Sequence, residues 1–198
     1  MKRSIPTLFI FILLFNSFIV SAQKKSKQKS KAKEKIETAT TRIDPAILKA
    51  QKQQFWDSIP DPIGLTTDFE KIFTPEQCKY LDSMMIDFEK KTTIEFSVVT
   101  LDTMHINEDR FDDLPKYISN AWGIGKVGKD NGVVMCISLG YRRVKIYAGL
   151  GVDEYIGEPE INSIVNRNIF PLFKKGQFFQ GTLAGLTIMM NTISSRIR

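Results

Sequence analysis

Histidine and cysteine are scarce in this sequence of 198 residues, which has one His and two Cys. A Ser-His-Asp triad or a histidine-rich metal cluster would have to be built on His105 alone, so both are excluded except through that residue. Cys78 and Cys136 fall on apolar faces of predicted elements, where free cysteines behave as small hydrophobic residues. We interpret them as buried thiols, with a single disulfide as the alternative in an exported protein.

Net positive charge is confined to the start of the chain, although the net charge of the whole sequence is +6. Two basic residues near the start contribute +2, and the segment KKSKQKSKAKEK at residues 24–35 contributes +6, which leaves −2 for residues 36–198. A nucleic-acid-binding domain needs a basic surface and is therefore excluded. The lysine-rich segment has no apolar residue larger than Ala, which predicts a disordered linker. It either contacts an anionic membrane surface, at roughly 1 kcal/mol per lysine, or is a solvated spacer.

The first 22 residues have the pattern of a secretory signal peptide. Lys2 and Arg3 precede an apolar run at residues 8–14, and small residues at positions 20–22 form a cleavage site. The sequence therefore predicts export to the periplasm, the cell envelope or the medium. Residues 5–22 are also just long enough to span a bilayer, so an uncleaved N-terminal membrane anchor is the alternative. No cysteine stands directly after the apolar run, at the expected cleavage site, which excludes a lipoprotein anchor.

The rest of the chain has the size of one ordinary domain. We divide the sequence into a signal peptide (1–22), a lysine-rich linker (23–43), a short helical lead-in (44–58) and a folded domain (59–198). Asp44 is the expected N-cap of the lead-in helix, because Pro45 follows it. Residues 59–73 are rich in proline and turn residues, and we expect this extended stretch to pack Ile63 and its apolar neighbours onto the core.

The domain alternates helical and strand patterns. Thr74-Pro75-Glu76-Gln77 forms a capping box that begins a helix. The runs IEFSVVTL, GVVMCISL and RRVKIYA predict three strands at residues 94–101, 132–139 and 142–148. A helix between the first two makes them parallel through a right-handed crossover, and the tight turn before the third makes it antiparallel. Two more helices follow, so the predicted fold is a three-layer α/β/α sandwich with a mixed, partly parallel central sheet.

The stretch WGIGKVGKDNG at residues 122–132 matches the pattern G-x-G-x-x-G through Gly123, Gly125 and Gly128. A dinucleotide-binding loop needs a strand before the glycines and a helix after them, so that the pyrophosphate meets a helix N-terminus. Here a predicted helix comes first and a strand follows. We therefore expect no nucleotide at this loop.

The topology brings other polar residues together. Asp130 and Asn131 precede the second strand, and the antiparallel third strand leaves at the same edge through GLGVDE, residues 149–154. Asp153 and its neighbour Glu154 could therefore converge with Asp130 and Asn131, whereas Asp102 lies at the opposite edge. Carboxylate and amide oxygens are the ligands that Ca²⁺ or Mg²⁺ prefers. The alternative is that Asp130-Asn131-Gly132 simply makes a turn.

Several stretches together resemble the TPM domain family, which includes a thylakoid-lumen phosphatase-like protein and bacterial envelope proteins. They are PDPIGLTTDFEKIFTPEQ, IEFSVVTLD, WGIGKVGKDNGVVM, RRVKIYAGLG and IFPLFKKGQFFQG, and the resemblance spans residues 59–191. The block W-G-I-G-x-x-G-K-D-N-G-V is the most specific of them. The family's Asp before an aromatic residue matches Asp68-Phe69, and its strand-exit glycines match Gly149 and Gly151.

Two positions depart from the family pattern, because Leu150 replaces a Tyr and Asp153 replaces a Glu. The resemblance implies the three-layer fold, a divalent cation held by loop carboxylates and, in some members, weak acid phosphatase activity. The candidate metal ligands for Ca²⁺ or Mg²⁺ are Asp68, Asp130, Asn131 and Asp153. The sequence leaves open whether Asp68 lies at the edge of Asp130 or at the edge of Asp102.

Two functions remain open. In a metal-assisted acid phosphatase, Asp130 is the catalytic carboxylate, the cation neutralises a phosphomonoester, and Lys126 or Lys129 contacts the phosphate. In the interpretation that we favour, the domain is a cation-stabilised interaction module that docks onto envelope or membrane proteins without catalysis. No nucleophilic His or Cys stands in the loop, which favours the second function.

Overall fold

The computed structural model describes residues 43–197. The predicted signal peptide and residues 23–42 of the predicted linker lie outside them. The chain divides into two units after residue 47. The described end of the first unit begins a helix, where Asp44 Oδ1 accepts a hydrogen bond from Ala46 N at 2.8 Å, as predicted. Within residues 43–197 no helix combines the length and apolar character that crossing a membrane requires.

The second unit is built on a four-stranded sheet in the order β1-β2-β3-β4. The strands are β1 (Thr66–Asp68), β2 (Glu95–Thr100), β3 (Gly132–Ser138) and β4 (Arg143–Ala148). β1, β2 and β3 are parallel, and β4 pairs antiparallel with β3. This confirms the predicted mixed sheet and adds β1, whose three residues are too few to show a periodic pattern. We call the edge where β2 and β3 begin the amino edge, and the edge where they end the carboxyl edge.

Seven α-helices surround the sheet in the described part of the chain. They are α1 (Pro45–Asp57), α2 (Pro75–Thr92), α3 (Leu114–Trp122), α4 (Leu150–Asp153), α5 (Glu158–Ile164), α6 (Phe170–Phe173) and α7 (Phe178–Arg196). A 3-10 turn covers Glu108–Arg110, and a π-helical segment covers Val165–Ile169. α2 begins with the predicted capping box, in which Gln77 N donates to Thr74 Oγ1 at 3.2 Å and Thr74 N donates to Gln77 Oε1 at 2.9 Å.

The helices pack as two layers, one on each face of the sheet. One face of β2 and β3 meets α2, α5 and α7 through Phe96, Val98, Met135 and Ile137. The other face meets α1 and α3 through Val99, Leu101, Val134 and Cys136. Successive strand residues point to opposite faces, so β3 is buried on both, and the predicted three-layer α/β/α sandwich is confirmed. Both cysteines are free thiols; Cys136 is buried as predicted, whereas Cys78 is half-buried.

Candidate functional site

The glycine-rich loop, residues 123–131, lies at the amino edge and joins α3 to β3. α3 ends at Trp122, and its C-cap residue Gly123 has the left-handed φ of +66°. Gly125 also has a positive φ, and a Cβ there would lie 2.7 Å from Gly132 N. The glycines let the chain turn closely back into β3. A strand follows them, as the sequence predicted.

Lys126 is tied into this loop by two carboxylates. Its Nζ donates to Glu89 Oε1 at 2.6 Å and to Glu95 Oε1, while Gly125 N donates to Glu95 Oε2 at 2.6 Å. The hydrogen bonds to Glu89 and Glu95 raise the pKa of Lys126. Partial burial would raise the pKa of Glu95, but the bonds from Lys126 and Gly125 outweigh it and lower that pKa. The structure therefore places the charge of Lys126 against two carboxylates of its own fold.

Asn131 connects the loop to the turn between α2 and β2. Its side chain is buried, with Oδ1 accepting from Lys126 N at 2.7 Å and Nδ2 donating to Thr93 O at 2.7 Å. The amide oxygen predicted as a metal ligand is thus already bonded to the backbone. Lys129 is exposed, and its Nζ lies 3.3 Å from Thr93 Oγ1.

Asp130 joins the loop to the exit of β4, which confirms the predicted approach of these two segments. Its Oδ2 accepts from Leu150 N at 2.9 Å, and its backbone oxygen accepts from Gly151 N at 2.9 Å. A Cβ at Gly149 would overlap the Asp130 oxygens, and one at Gly151 would overlap Lys129 O. The contact therefore depends on both glycines of GLG.

The two acidic residues that follow GLG line different depressions. Glu154 lines a cleft of about 270 Å³ with Lys129, Asn131 and Thr93. Asp153 is exposed and lines a groove along β4 with Lys145 and Glu158. Of this pair, Glu154 is the one that shares a cleft with the glycine-rich loop.

Asp68 lies at the carboxyl edge, opposite Thr100 of β2. The family resemblance implied a shared site with Asp130, but a residue at the end of a parallel strand and one before the start of its neighbour lie at opposite edges of the sheet, roughly 20 Å apart. The predicted set Asp68, Asp130, Asn131 and Asp153 therefore does not form one site. Within residues 43–197 no three His, Cys, Asp or Glu side chains are grouped to hold a metal.

The carboxylate of Asp68 has a different task. Oδ1 accepts from Thr100 Oγ1 at 2.5 Å and from Ile72 N at 3.2 Å, and Oδ2 accepts from Phe73 N at 2.8 Å. These bonds close the turn that leads from β1 to α2. The Asp68 carboxylate is thus a hydrogen-bond acceptor for the backbone of this turn.

The pattern of the TPM domain matches residues 66–192, from β1 into α7. This span covers more than half of the chain. The chain belongs to the TPM domain family.

Three solved structures resemble this TPM domain. The N-terminal domain of a P. gingivalis protein is 21% identical, with a TM-score of 0.61 over 76% of this chain and 88% of that one. The BA42 protein of Bizionia argentinensis is 22% identical, with a TM-score of 0.55 over 65% and 86%. The N-terminal domain of the cg2496 protein of Corynebacterium glutamicum is 15% identical, with a TM-score of 0.50 over 71% and 85%. At these identities the likeness shows the fold alone. No curated protein matches the chain.

The carboxyl edge of the TPM domain also holds a pair that the sequence did not lead us to expect. His105 Nδ1 lies 2.7 Å from Asp102 Oδ1, and the imidazole stacks on Phe69. Nearby, both oxygens of Glu70 accept from Leu139 N, and partial burial raises the pKa of this carboxyl. The sequence does contain a signal for this pair, the spacing Asp-x-x-His directly after a strand. An Asp at such a position commonly accepts hydrogen bonds from the backbone of the turn that follows.

The amino edge of the TPM domain exposes aliphatic side chains around the glycine-rich loop. Val127 is fully exposed at its tip, Leu150 is 80% exposed, and Ile63 is 78% exposed, contrary to the predicted packing of Ile63 onto the core. Ile63 and Ile86 line a groove with Trp122 and Ile124, and Ile197 lines the cleft beside Lys129. We call this surface the glycine-loop face; its members are Ile63, Ile86, Val127, Leu150 and Ile197.

Proposed function

We propose that this TPM domain is an interaction module of the cell envelope that docks onto a partner protein with its glycine-loop face. The observation that carries the proposal is the concentration of five exposed aliphatic side chains around one loop. In the described part of the second unit, Tyr80 is the one other large apolar side chain with comparable exposure. Apolar groups concentrated on a surface and rimmed by polar residues mark sites of protein association.

The loops that carry Val127 and Leu150 are held in place by hydrogen bonds within the domain. Lys126 is held by two carboxylates, Asn131 bonds Thr93, and Asp130 bonds Leu150 N. A surface fixed before binding loses less conformational entropy on association. The exposed tips are therefore presented in a defined geometry, which suits recognition.

The rim of the glycine-loop face is mainly acidic. Its carboxylates belong to Asp82, Glu89, Glu95, Asp130 and Glu154, and they outnumber the amines of the loop lysines Lys126 and Lys129. Complementary charge raises the rate of association and suppresses wrong partners. This favours an envelope or membrane protein that presents apolar side chains among basic ones. The predicted export signal supports the location, and the lysine-rich linker would keep the module near an anionic membrane.

Photo-crosslinking in the cells that produce the protein tests the docking face. A photoreactive residue at position 127 or 150 is expected to give discrete adducts with a partner, and one at the exposed Thr187 of α7 is not. Leu150→Asp should lower the adduct yield at position 127 by about tenfold, since burying a leucine is worth roughly 1.5–3 kcal/mol. Equal adducts at positions 127 and 187, or no effect of Leu150→Asp, would contradict the proposal.

A divalent cation at Asp130 is the second element of the proposal. Oδ2 of Asp130 is bonded to Leu150 N, whereas Oδ1 accepts no hydrogen bond from residues 43–197. Asp130 Oδ1 and Asp130 O both face Gly149, and Lys129 O faces Gly151; one carboxylate oxygen with such backbone oxygens suits a weak site, of about millimolar affinity for Ca²⁺. The phosphatase alternative has less support, because Lys126 is paired with Glu89 and Glu95 and so adds little net positive charge for a phosphate.

Thermal unfolding with Ca²⁺ or Mg²⁺ tests the cation. At tenfold excess over the dissociation constant, the expected stabilisation is about 1.4 kcal/mol, or roughly 3 to 5 °C in Tm. Asp130→Asn should abolish it; Asn keeps the shape and tolerates the positive φ of this position. Phosphate release from an aryl phosphate is measured in parallel. If wild type releases phosphate and Asp130→Asn does not, the phosphatase is the correct function and the interaction module is wrong. If the cation raises the Tm of Asp130→Asn as much as that of wild type, the cation does not bind at Asp130.

A further inference from the structure

Four aromatic side chains form a cluster at the corner where α2 and α7 begin. Phe173 and Phe178 meet edge to face with ring centroids 5.3 Å apart, and Tyr80 meets Phe179 at 6.0 Å. Tyr80 is 55% exposed, and the three phenyl rings are half-buried against the core of the α2–α7 layer. The cluster therefore presents ring edges and one hydroxyl to solvent.

Lysines surround this cluster. Lys174 and Lys175 are exposed in the tight turn between Phe173 and Phe178, and Lys79 is exposed beside Tyr80. None of the three forms an ion pair with a carboxylate of the described residues. Residues 43–197 contain 17 Lys and Arg against 20 Asp and Glu. Glu76, exposed in the first turn of α2, lies close enough to interact with Lys79, so three lysines against one carboxylate leave the corner with net positive charge on an acidic domain.

The corner lies away from the glycine-loop face. α2 starts at the carboxyl edge, because it follows the end of β1, and the contact between Tyr80 and Phe179 places the start of α7 beside it. The other end of α7 reaches the amino edge, where Ile197 lines the cleft with Thr93 and Lys129. A partner at the corner therefore leaves the tips that carry Val127 and Leu150, at the other edge of the sheet, uncovered.

We propose that this aromatic–lysine corner, formed by Tyr80, Phe173, Phe178, Phe179, Lys79, Lys174 and Lys175, docks onto the surface of an anionic lipid bilayer. Aromatic side chains favour the headgroup level of a membrane. Lysine amines on long apolar stems reach the lipid phosphates. Each lysine near an anionic surface contributes about a fivefold gain in binding. A soluble polyanion would use the charges alone, whereas a bilayer also uses the rings.

Vesicle co-sedimentation tests the proposal on the chain with residues 24–35 intact in every variant. The probes are phosphatidylcholine vesicles with and without phosphatidylglycerol. Lys174→Glu/Lys175→Glu is expected to lower partitioning onto the anionic vesicles by at least about tenfold. The matched control is Lys90→Glu/Lys91→Glu, which reverses an exposed lysine pair at the far end of α2 and should change partitioning by less than about twofold.

A second variant tests the rings without charge reversal. Tyr80→Ser removes a half-exposed ring, so the fold should persist in thermal unfolding while anionic-vesicle binding falls about threefold or more. Equal losses in the two lysine-pair variants would overturn the proposal, as would no loss with Lys174→Glu/Lys175→Glu. Inorganic polyphosphate, added as a competitor, distinguishes a bilayer site from a site for soluble polyanions. If it displaces the protein from vesicles and Tyr80→Ser binds them like wild type, the corner is a polyanion site and the bilayer assignment fails.

Discussion

Gly132→Ala is expected to destabilise the domain by about 3 kcal/mol, at the upper end of the range for overpacking. Gly132 begins β3, and a Cβ there would overlap Ile124 O and lie 2.8 Å from Ile124 C. Both are backbone atoms, so no side-chain rotation relieves the clash. Gly132 O also accepts from Gly149 N at 2.9 Å, so a shift of the strand would break its pairing with β4. Urea unfolding should show the loss as a lower midpoint with an unchanged slope.

Gly128→Ala is the control for this prediction. Gly128 has a φ of +77°, and a Cβ added there would have no atom within 4 Å, so Ala costs only the left-handed conformation, about 1 kcal/mol. If both variants lost the same stability, the close approach of Ile124 to Gly132 would not be what fixes the loop. A larger loss at Gly132 than at Gly128 would show that the close backbone contact between Ile124 and Gly132 fixes the shape of the glycine-rich loop.

The sequence predicted the elements that have strong local signals. β3 could be predicted because GVVMCISL is apolar on both faces. The start of α2 could be predicted because its capping box lies within four residues. The neighbourhood of Asp130 and Leu150 followed from topology, since an antiparallel β4 must leave at the edge where β3 begins. These predictions needed only local patterns and the order of the strands.

The parts of the site that could not be predicted depend on residues far apart in the chain. Lys126 meets Glu89 and Glu95, more than thirty positions earlier, and no periodicity encodes that contact. Asp68 entered the candidate metal set through the family resemblance, and the sequence left open the edge at which it lies because the three residues of β1 show no periodic pattern. The exposure of Val127 could not be predicted either, because a loop valine is buried or exposed according to the packing around it, which the sequence does not give.

The aromatic–lysine corner and the tips of the glycine-loop face lie at opposite edges of the sheet, which determines how the domain would be oriented on a membrane. A domain that rests on lipid through the aromatic–lysine corner at the carboxyl edge keeps the glycine-loop face clear of the bilayer surface. Val127 and Leu150 would then meet the part of a membrane protein that projects from the membrane. The loss of vesicle binding and the loss of crosslinking should accordingly be separable, with each set of substitutions affecting its own measurement.

Asp68→Ala is expected to lower the free energy of unfolding by about 2 to 3 kcal/mol and to leave any response to Ca²⁺ unchanged. The substitution removes the acceptor for Thr100 Oγ1 and for the backbone N–H groups of Ile72 and Phe73. Hydrogen bonds to a charged group contribute about 1.5–3 kcal/mol, and unsatisfied N–H groups add to the loss. Chemical unfolding with and without the cation measures both quantities in one experiment.

Two variants sharpen the result for Asp68. Asp61→Ala removes an exposed carboxylate that lies near Asp68 in sequence, and it should change stability by less than about 0.5 kcal/mol. Asp68→Asn retains one side-chain oxygen, so it should recover part of the stability lost in Asp68→Ala. If Asp68→Ala instead kept full stability and abolished a Ca²⁺ response, the ligand role implied by the family resemblance would return. With the stability loss and an intact response, the carboxylate of Asp68 serves the turn between β1 and α2, and any cation belongs to the Asp130 edge.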